Sequence, residues 1–151
     1  METPKVITNT IQISAHAERV WEVLTKPEYT KQYMFGCVPE TDWQPNSPIL
    51  WKGVFDGVEM TAVKGHIVQV RPGHHLSYTV IDPNNQEIPD VPENYLTVTY
   101  DLQELNGETR FTVTQGDYSK VANGEARFKD SEAEGGWQAI LEQIKSVAEQ
   151  V

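Results

Sequence analysis

The stretch "SEAEGGWQAILEQIKSVAEQ", residues 131–150, decides how this chain folds. Trp137, Ile140, Leu141, Ile144, Val147, Ala148 and Val151 recur at the three-and-four spacing that puts them on one stripe of a helix, while Gln138, Glu142, Lys145 and Glu149 take the other side. Ser131 and Glu134 form the S-x-x-E pattern of a capping box, so the spacing predicts a long helix beginning near Glu132. Gly135 and Gly136 sit awkwardly in its first turns, because a helical glycine costs about 0.8–1.0 kcal/mol relative to alanine. Two readings are open. Either the helix frays there and starts at Gly136, or the missing side chains permit a close backbone approach or a space between the helix and what it covers.

An amphipathic helix needs an apolar partner, and the rest of the chain supplies a one-faced sheet. Val6–Ile13 alternates as a half-buried strand does. Ser14 is placed to cap a helix in which Ala17, Val20, Trp21 and Leu24 share a side; Pro27 ends it and can open a second short helix, Glu28–Tyr33. From Val38 to Gly116 short strands alternate with turn signals, predicting a meander near Glu40–Gln44, Ile49–Phe55, Met60–Val70, His74–Ile81, Tyr95–Leu105 and Thr109–Asp117. Leu76, Tyr78 and Val80, then Leu96, Val98, Tyr100 and Leu102, then Phe111 and Val113 make one face apolar, with Ser77, Thr79, Thr97, Thr99, Arg110 and Thr112 opposite. The strand around His66 carries apolar residues on both faces, so the direction of His66 stays open. The expected class is α+β: an antiparallel sheet of six or seven strands covered by the last helix, with two short helices after the first strand.

Size and charge narrow the function. A chain of 151 residues fits one domain, residues 1–151, and its hydrophobic fraction of 38% is ordinary. Its longest apolar runs are too short for a membrane span, and the N-terminus lacks the pattern of a secretory signal, so a cytoplasmic location is expected. A net charge of −10 with scattered basic residues disfavours nucleic acid and anionic membrane surfaces as partners. The single cysteine, Cys37, cannot form an internal disulfide and reads as structural.

Catalytic signatures are missing. His16, His66, His74 and His75 lack metal-site spacing, neighbouring His74 and His75 point to opposite sides of a strand, and no nucleophile elbow, phosphate loop or dinucleotide fingerprint occurs. No catalytic residue, metal or cofactor is assigned. Aromatic residues carry more information: Trp51, Phe55, Tyr78, Tyr100, Phe111 and Trp137 fall in segments that should line the space between sheet and helix, with Met34 and Phe35 closing one end. His66 joins these candidates as a ligand contact, beside its reading as an ordinary strand histidine. The stretch from Asp82 to Asn94, with three prolines, reads as a stiffened surface loop, with a lid over a cavity mouth as the alternative.

The segments "ISAHAERVWEVLTKPEYTKQY", "DGVEMTAVKGHIVQVRPGHHLSYTV", "YLTVTYDLQELNGETRFTVTQGDYS" and "GGWQAILEQIKSV", in this order and spacing, resemble the activator of heat-shock protein 90 ATPase homologue family. That family belongs to the START-like, birch-pollen-allergen-like superfamily of helix-grip folds (SRPBCC). The resemblance covers nearly the whole chain, and departs where many relatives carry a tryptophan after the second short helix and this chain reads "QYMFG". It implies a curved sheet wrapped around a long C-terminal helix, with an elongated apolar cavity between them. The expected function is therefore non-catalytic binding of a small, mostly apolar molecule by a monomer or weak homodimer. The resemblance also implies two alternatives: a chaperone partner of the heat-shock protein 90 type whose ATPase is regulated, or an enzyme that uses the cavity.

Overall fold

In the computed structural model, which describes residues 4–150, the alternating segments form seven strands. They are β1 (Ile7–Ile13), β2 (Val38–Glu40), β3 (Pro48–Phe55), β4 (Val58–Arg71), β5 (His75–Val80), β6 (Leu96–Leu105) and β7 (Glu108–Gly116). One curved antiparallel sheet results, in the order β1-β7-β6-β5-β4-β3-β2. The dipeptides Asp56-Gly57 and Asn106-Gly107 close the β3–β4 and β6–β7 hairpins, each with both residues at positive φ, as two-residue turns with the native twist require. Helices α1 (Ala17–Thr25) and α2 (Pro27–Tyr33) carry the chain from one edge strand, β1, to the other, β2. This is the helix-grip arrangement of the α+β class.

Local details differ from the sequence expectation. The strand expected at Glu40–Gln44 lies at Val38–Glu40. Ser14 does not cap α1: the N-cap is His16, without a side-chain bond, and Glu104 from the far end of β6 accepts the Ala17 N–H at 2.6 Å. The Ser14 N–H donates instead to Glu149 Oε2 at 2.8 Å. Both acceptors come from residues distant in sequence, which local pattern cannot show.

The largest difference is in the closing stretch, which is two helices: α3 (Gly124–Ala133) and α4 (Gln138–Ala148). Ser131 and Glu134 belong to the end of α3, so they form no capping box. Gly135 and Gly136 hold φ of +88° and +61°, the left-handed region in which an ordinary side chain is strained. The Gly135 N–H donates to Glu132 O at 3.1 Å and the Gly136 N–H to Ser131 O at 2.8 Å, the paired bonds of a Schellman stop. The glycines therefore terminate one helix and turn the chain into the next. Close approach applies as well, since a Cβ on Gly136 would lie 2.5 Å from Asn9 Oδ1 and 2.7 Å from Ile7 Cγ2 on β1. α3 escaped periodicity because it is polar nearly all round; Gly124 is its one buried residue, and Phe128 anchors it on Tyr118 with ring centroids 5.7 Å apart.

The core lies between the concave face of the sheet and α1, α2 and α4. Leu76, Tyr78, Val98, Tyr100, Phe111 and Val113 point inward as their alternation predicts, under Leu141, Ile144 and Val147 of α4. Val151, the last residue of the predicted stripe, lies outside the described residues.

Candidate functional site: an uncharged aromatic cleft

Where α4 begins, it does not cover the sheet completely, and a cleft of about 490 Å³ remains between them. Its floor is built by strands. Tyr78 and Val98 are direct partners across β5 and β6, and Val98 is in turn opposite Gln115 of β7, so these three residues form one row of the inner face. Trp51 and Val63, partners across β3 and β4, extend the floor toward the β2 edge. Pairing shifts between Trp51–Val63 and Lys52–Thr61, leaving Ala62 as the extra residue of a β-bulge. Consecutive residues Ala62 and Val63 thus both border the cleft. This bulge and a second pairing shift between Ile67 and Gln69 explain why β4 shows no clean alternation.

Trp137 and Ile140 form the roof; Met34, Phe35, Cys37 and Phe55 stand at one end. Two side-chain amides hold the roof. The Asn9 side chain accepts the Trp137 backbone N–H at 3.0 Å and donates to Gly135 O at 3.2 Å, while Gln115 Oε1 accepts the Trp137 indole N–H at 2.8 Å. The aromatic rings meet mostly edge to face: Tyr78–Tyr100 at 5.5 Å, Tyr100–Trp137 at 5.9 Å and Tyr100–Phe111 at 5.4 Å between centroids, with Trp51 tilted against Tyr78 at 6.1 Å. Such a wall is rigid and polarisable, suited to another ring.

The cleft carries no formal charge. Among the described residues its lining contains no Lys, Arg, His, Asp or Glu. Burial pushes the Tyr78 hydroxyl well above the usual tyrosine range, with neighbouring Tyr100 adding to the effect, and burial raises Tyr100 too. Burial also raises the Cys37 thiol, which favours its protonated form. Among the described residues, no three His, Cys, Asp or Glu side chains are grouped so as to hold a metal ion.

Of the residues singled out from sequence, Met34, Phe35, Trp51, Phe55, Tyr78 and Trp137 border this cleft. Tyr100 and Phe111 stand behind it, buried in the core at 1% and 0% exposure. His66 is exposed on the opposite face of the sheet, where its backbone N–H donates to Thr79 Oγ1 at 3.0 Å and its Nδ1 lies 3.1 Å from the same oxygen. Residues 82–94 are not a lid: none of them borders the cleft. That loop is fastened beside β4 by buried Ile88, by a bond from Asn84 Nδ2 to Thr61 O and by the Lys64–Asp90 ion pair. Sequence reasoning missed Gln115. A polar residue two places beyond inward-facing Phe111 and Val113 was the available signal.

Residues 14–149 match the sequence family described as activator of Hsp90 ATPase homolog 1-like protein. The chain belongs to this family. The same fold is seen in a solution structure of a protein from Cytophaga hutchinsonii that is 35% identical, with a TM-score of 0.75 over 96% of this chain and 94% of that one. A crystal structure from Chromobacterium violaceum shares the fold at 18% identity, with a TM-score of 0.73 over 99% of this chain and 100% of its own. An HSP90 activator from Plasmodium falciparum does so at 14% identity, with a TM-score of 0.64 over 95% of each chain. Among curated proteins, none matches this chain in sequence. No helix among the described residues of this family member is long and apolar enough to cross a membrane.

Proposed function

We propose that this protein binds a small, mostly apolar ligand in the cleft between the sheet and the start of α4, and that it does so without catalysis. The carrying observation is the uncharged, aromatic-walled space itself, whose volume of about 490 Å³ falls within the range of small-molecule sites. Its lining offers no base to activate a nucleophile, and burial favours the protonated form of its thiol. A thermal-shift screen of the full chain with apolar aromatic compounds tests the reading. A saturable rise in melting temperature that is lost on filling the space with Val63→Trp supports it; flat profiles across the screen contradict it.

Membership in the family, together with the fold shared with the Plasmodium falciparum HSP90 activator, supports a second reading: action on the ATPase of a heat-shock protein 90-type chaperone. Steady-state ATP turnover by such a chaperone, measured with and without this protein, tests it. Unchanged turnover contradicts this second reading and leaves ligand binding untouched.

A further inference from the structure

Proton counting at the floor of the cleft gives the ligand a chemistry. Tyr78 Oη and Tyr100 Oη lie 2.7 Å apart, both buried, and among the described residues neither hydroxyl makes another hydrogen bond. Each phenol carries one O–H, and their mutual bond consumes one of the two, so one proton has no protein acceptor. Leaving that donor enclosed in the core is costly. The arrangement that avoids the cost has Tyr100, which stands behind the cleft, donate to Tyr78, which borders it. The uncommitted proton then belongs to the residue that borders the cleft.

Gln115 repeats the pattern. An indole N–H only donates, so the bond from Trp137 Nε1 at 2.8 Å identifies the Gln115 oxygen and leaves its amide NH2 without a protein acceptor among the described residues. Tyr78 and Gln115 flank Val98 in a single row of the sheet, all three bordering the same space. The floor thus presents unspent donors, with no charge nearby to hold an anion.

We propose that the ligand is an uncharged, largely aromatic molecule bearing a carbonyl oxygen, which accepts a hydrogen bond from the Tyr78 hydroxyl, with the Gln115 amide as a second donor in the same row. The inference rests on the binding reading above and gives it a ligand class. A carboxylate would enter an apolar site without a cation and lose its hydration. A pure hydrocarbon would leave the donors unmatched.

Three probes of one shape distinguish these cases: 2-acetylnaphthalene, 2-ethylnaphthalene and 2-naphthoate, titrated into the full chain with dissociation constants taken from NMR shifts. Apolar transfer alone favours the ethyl compound, so a preference for acetyl reports the hydrogen bond. The acetyl probe is expected to bind about threefold to tenfold tighter than the ethyl probe, and 2-naphthoate at least about tenfold weaker than acetyl. Tyr78→Phe should abolish the acetyl preference and keep ethyl binding, whereas Tyr100→Phe should keep the preference. Equal or tighter ethyl binding, or a preference that survives Tyr78→Phe, overturns the inference and leaves the binding reading intact. Failure of all three probes to bind overturns both.

Discussion

The two halves of α4 meet the same sheet and make opposite use of it. Its C-terminal half is sealed: Ile144 is fully buried, Val147 and Ala148 are buried, and Arg19 of α1 donates from Nε to Ala148 O at 3.3 Å and from Nη2 to Val147 O at 3.2 Å. A cation on these last carbonyls also complements the negative end of the helix dipole. Lys145 adds a bond to Gln12 O at 3.0 Å and an ion pair with Glu149. In the N-terminal half Leu141 is buried, but Trp137 and Ile140 border the cleft, and Asn9 and Gln115 hold Trp137 in place. One helix can therefore act as a core element at one end and as the roof of a cleft at the other, provided polar anchors fix its position.

Truncating one side chain at each end exposes the difference most sharply. Ile144→Ala removes packing from a filled region and should destabilise the fold by about 2–5 kcal/mol. Ile140→Ala, half-buried beside existing space, should cost about 1 kcal/mol, since little new cavity forms. Chemical denaturation of both variants checks the pair; equal losses would erase the distinction between the two ends.

The glycines give the next contrast. Gly136→Ala combines a left-handed backbone with a collision against Asn9 and Ile7, and should cost at least about 2 kcal/mol while shifting the roof. Gly135→Ala meets nothing nearer than Gln138 Cβ at 3.9 Å, so only the backbone penalty of about 1–2 kcal/mol applies. Denaturation midpoints should fall in that order, with the Trp137 indole resonance displaced in the Gly136 variant alone.

The smallest effect is acid sensitivity at the sealed end. The Ala17 N–H and then His16 hold the Glu104 carboxyl below the usual carboxylate range, and Lys145 and then the Ser14 N–H do the same for Glu149. A depressed native pKa means these contacts stabilise the fold fully above the unfolded value near pH ~4.3 and lose that contribution as pH falls through the lower native values. Glu104→Gln should flatten the acid limb of a stability-versus-pH curve and leave the neutral region changed only slightly; an unaltered limb would contradict the role given to this contact.

Much of this architecture was legible in the residues. Strand alternation named the inward face, Pro27 marked the joint between the short helices, and the DG and NG pairs located two hairpins. What pattern reading lost was long-range: Glu104 as the cap of α1, Arg19 as the clamp on α4, and the docking of Gly136 against β1 all join residues far apart in sequence. The S-x-x-E match misled because a capping box and the last turn of a preceding helix use the same letters. Bulky aromatics announced the walls of the cleft, but alternation alone could not tell Trp51 and Tyr78, which border it, from Tyr100 and Phe111, which lie behind it.

The central claim, that the roof helix leaves one end open to an uncharged guest, is tested most directly by methyl NMR of the full chain during titration with 2-acetylnaphthalene. Resonances of Ala62, Val63, Val80 and Ile140 should move saturably, with Ile144, Val147 and Ala148 unchanged. Saturable movement at the sealed end as large as at the cleft, or no movement at the methyl groups of the four cleft residues, would contradict it.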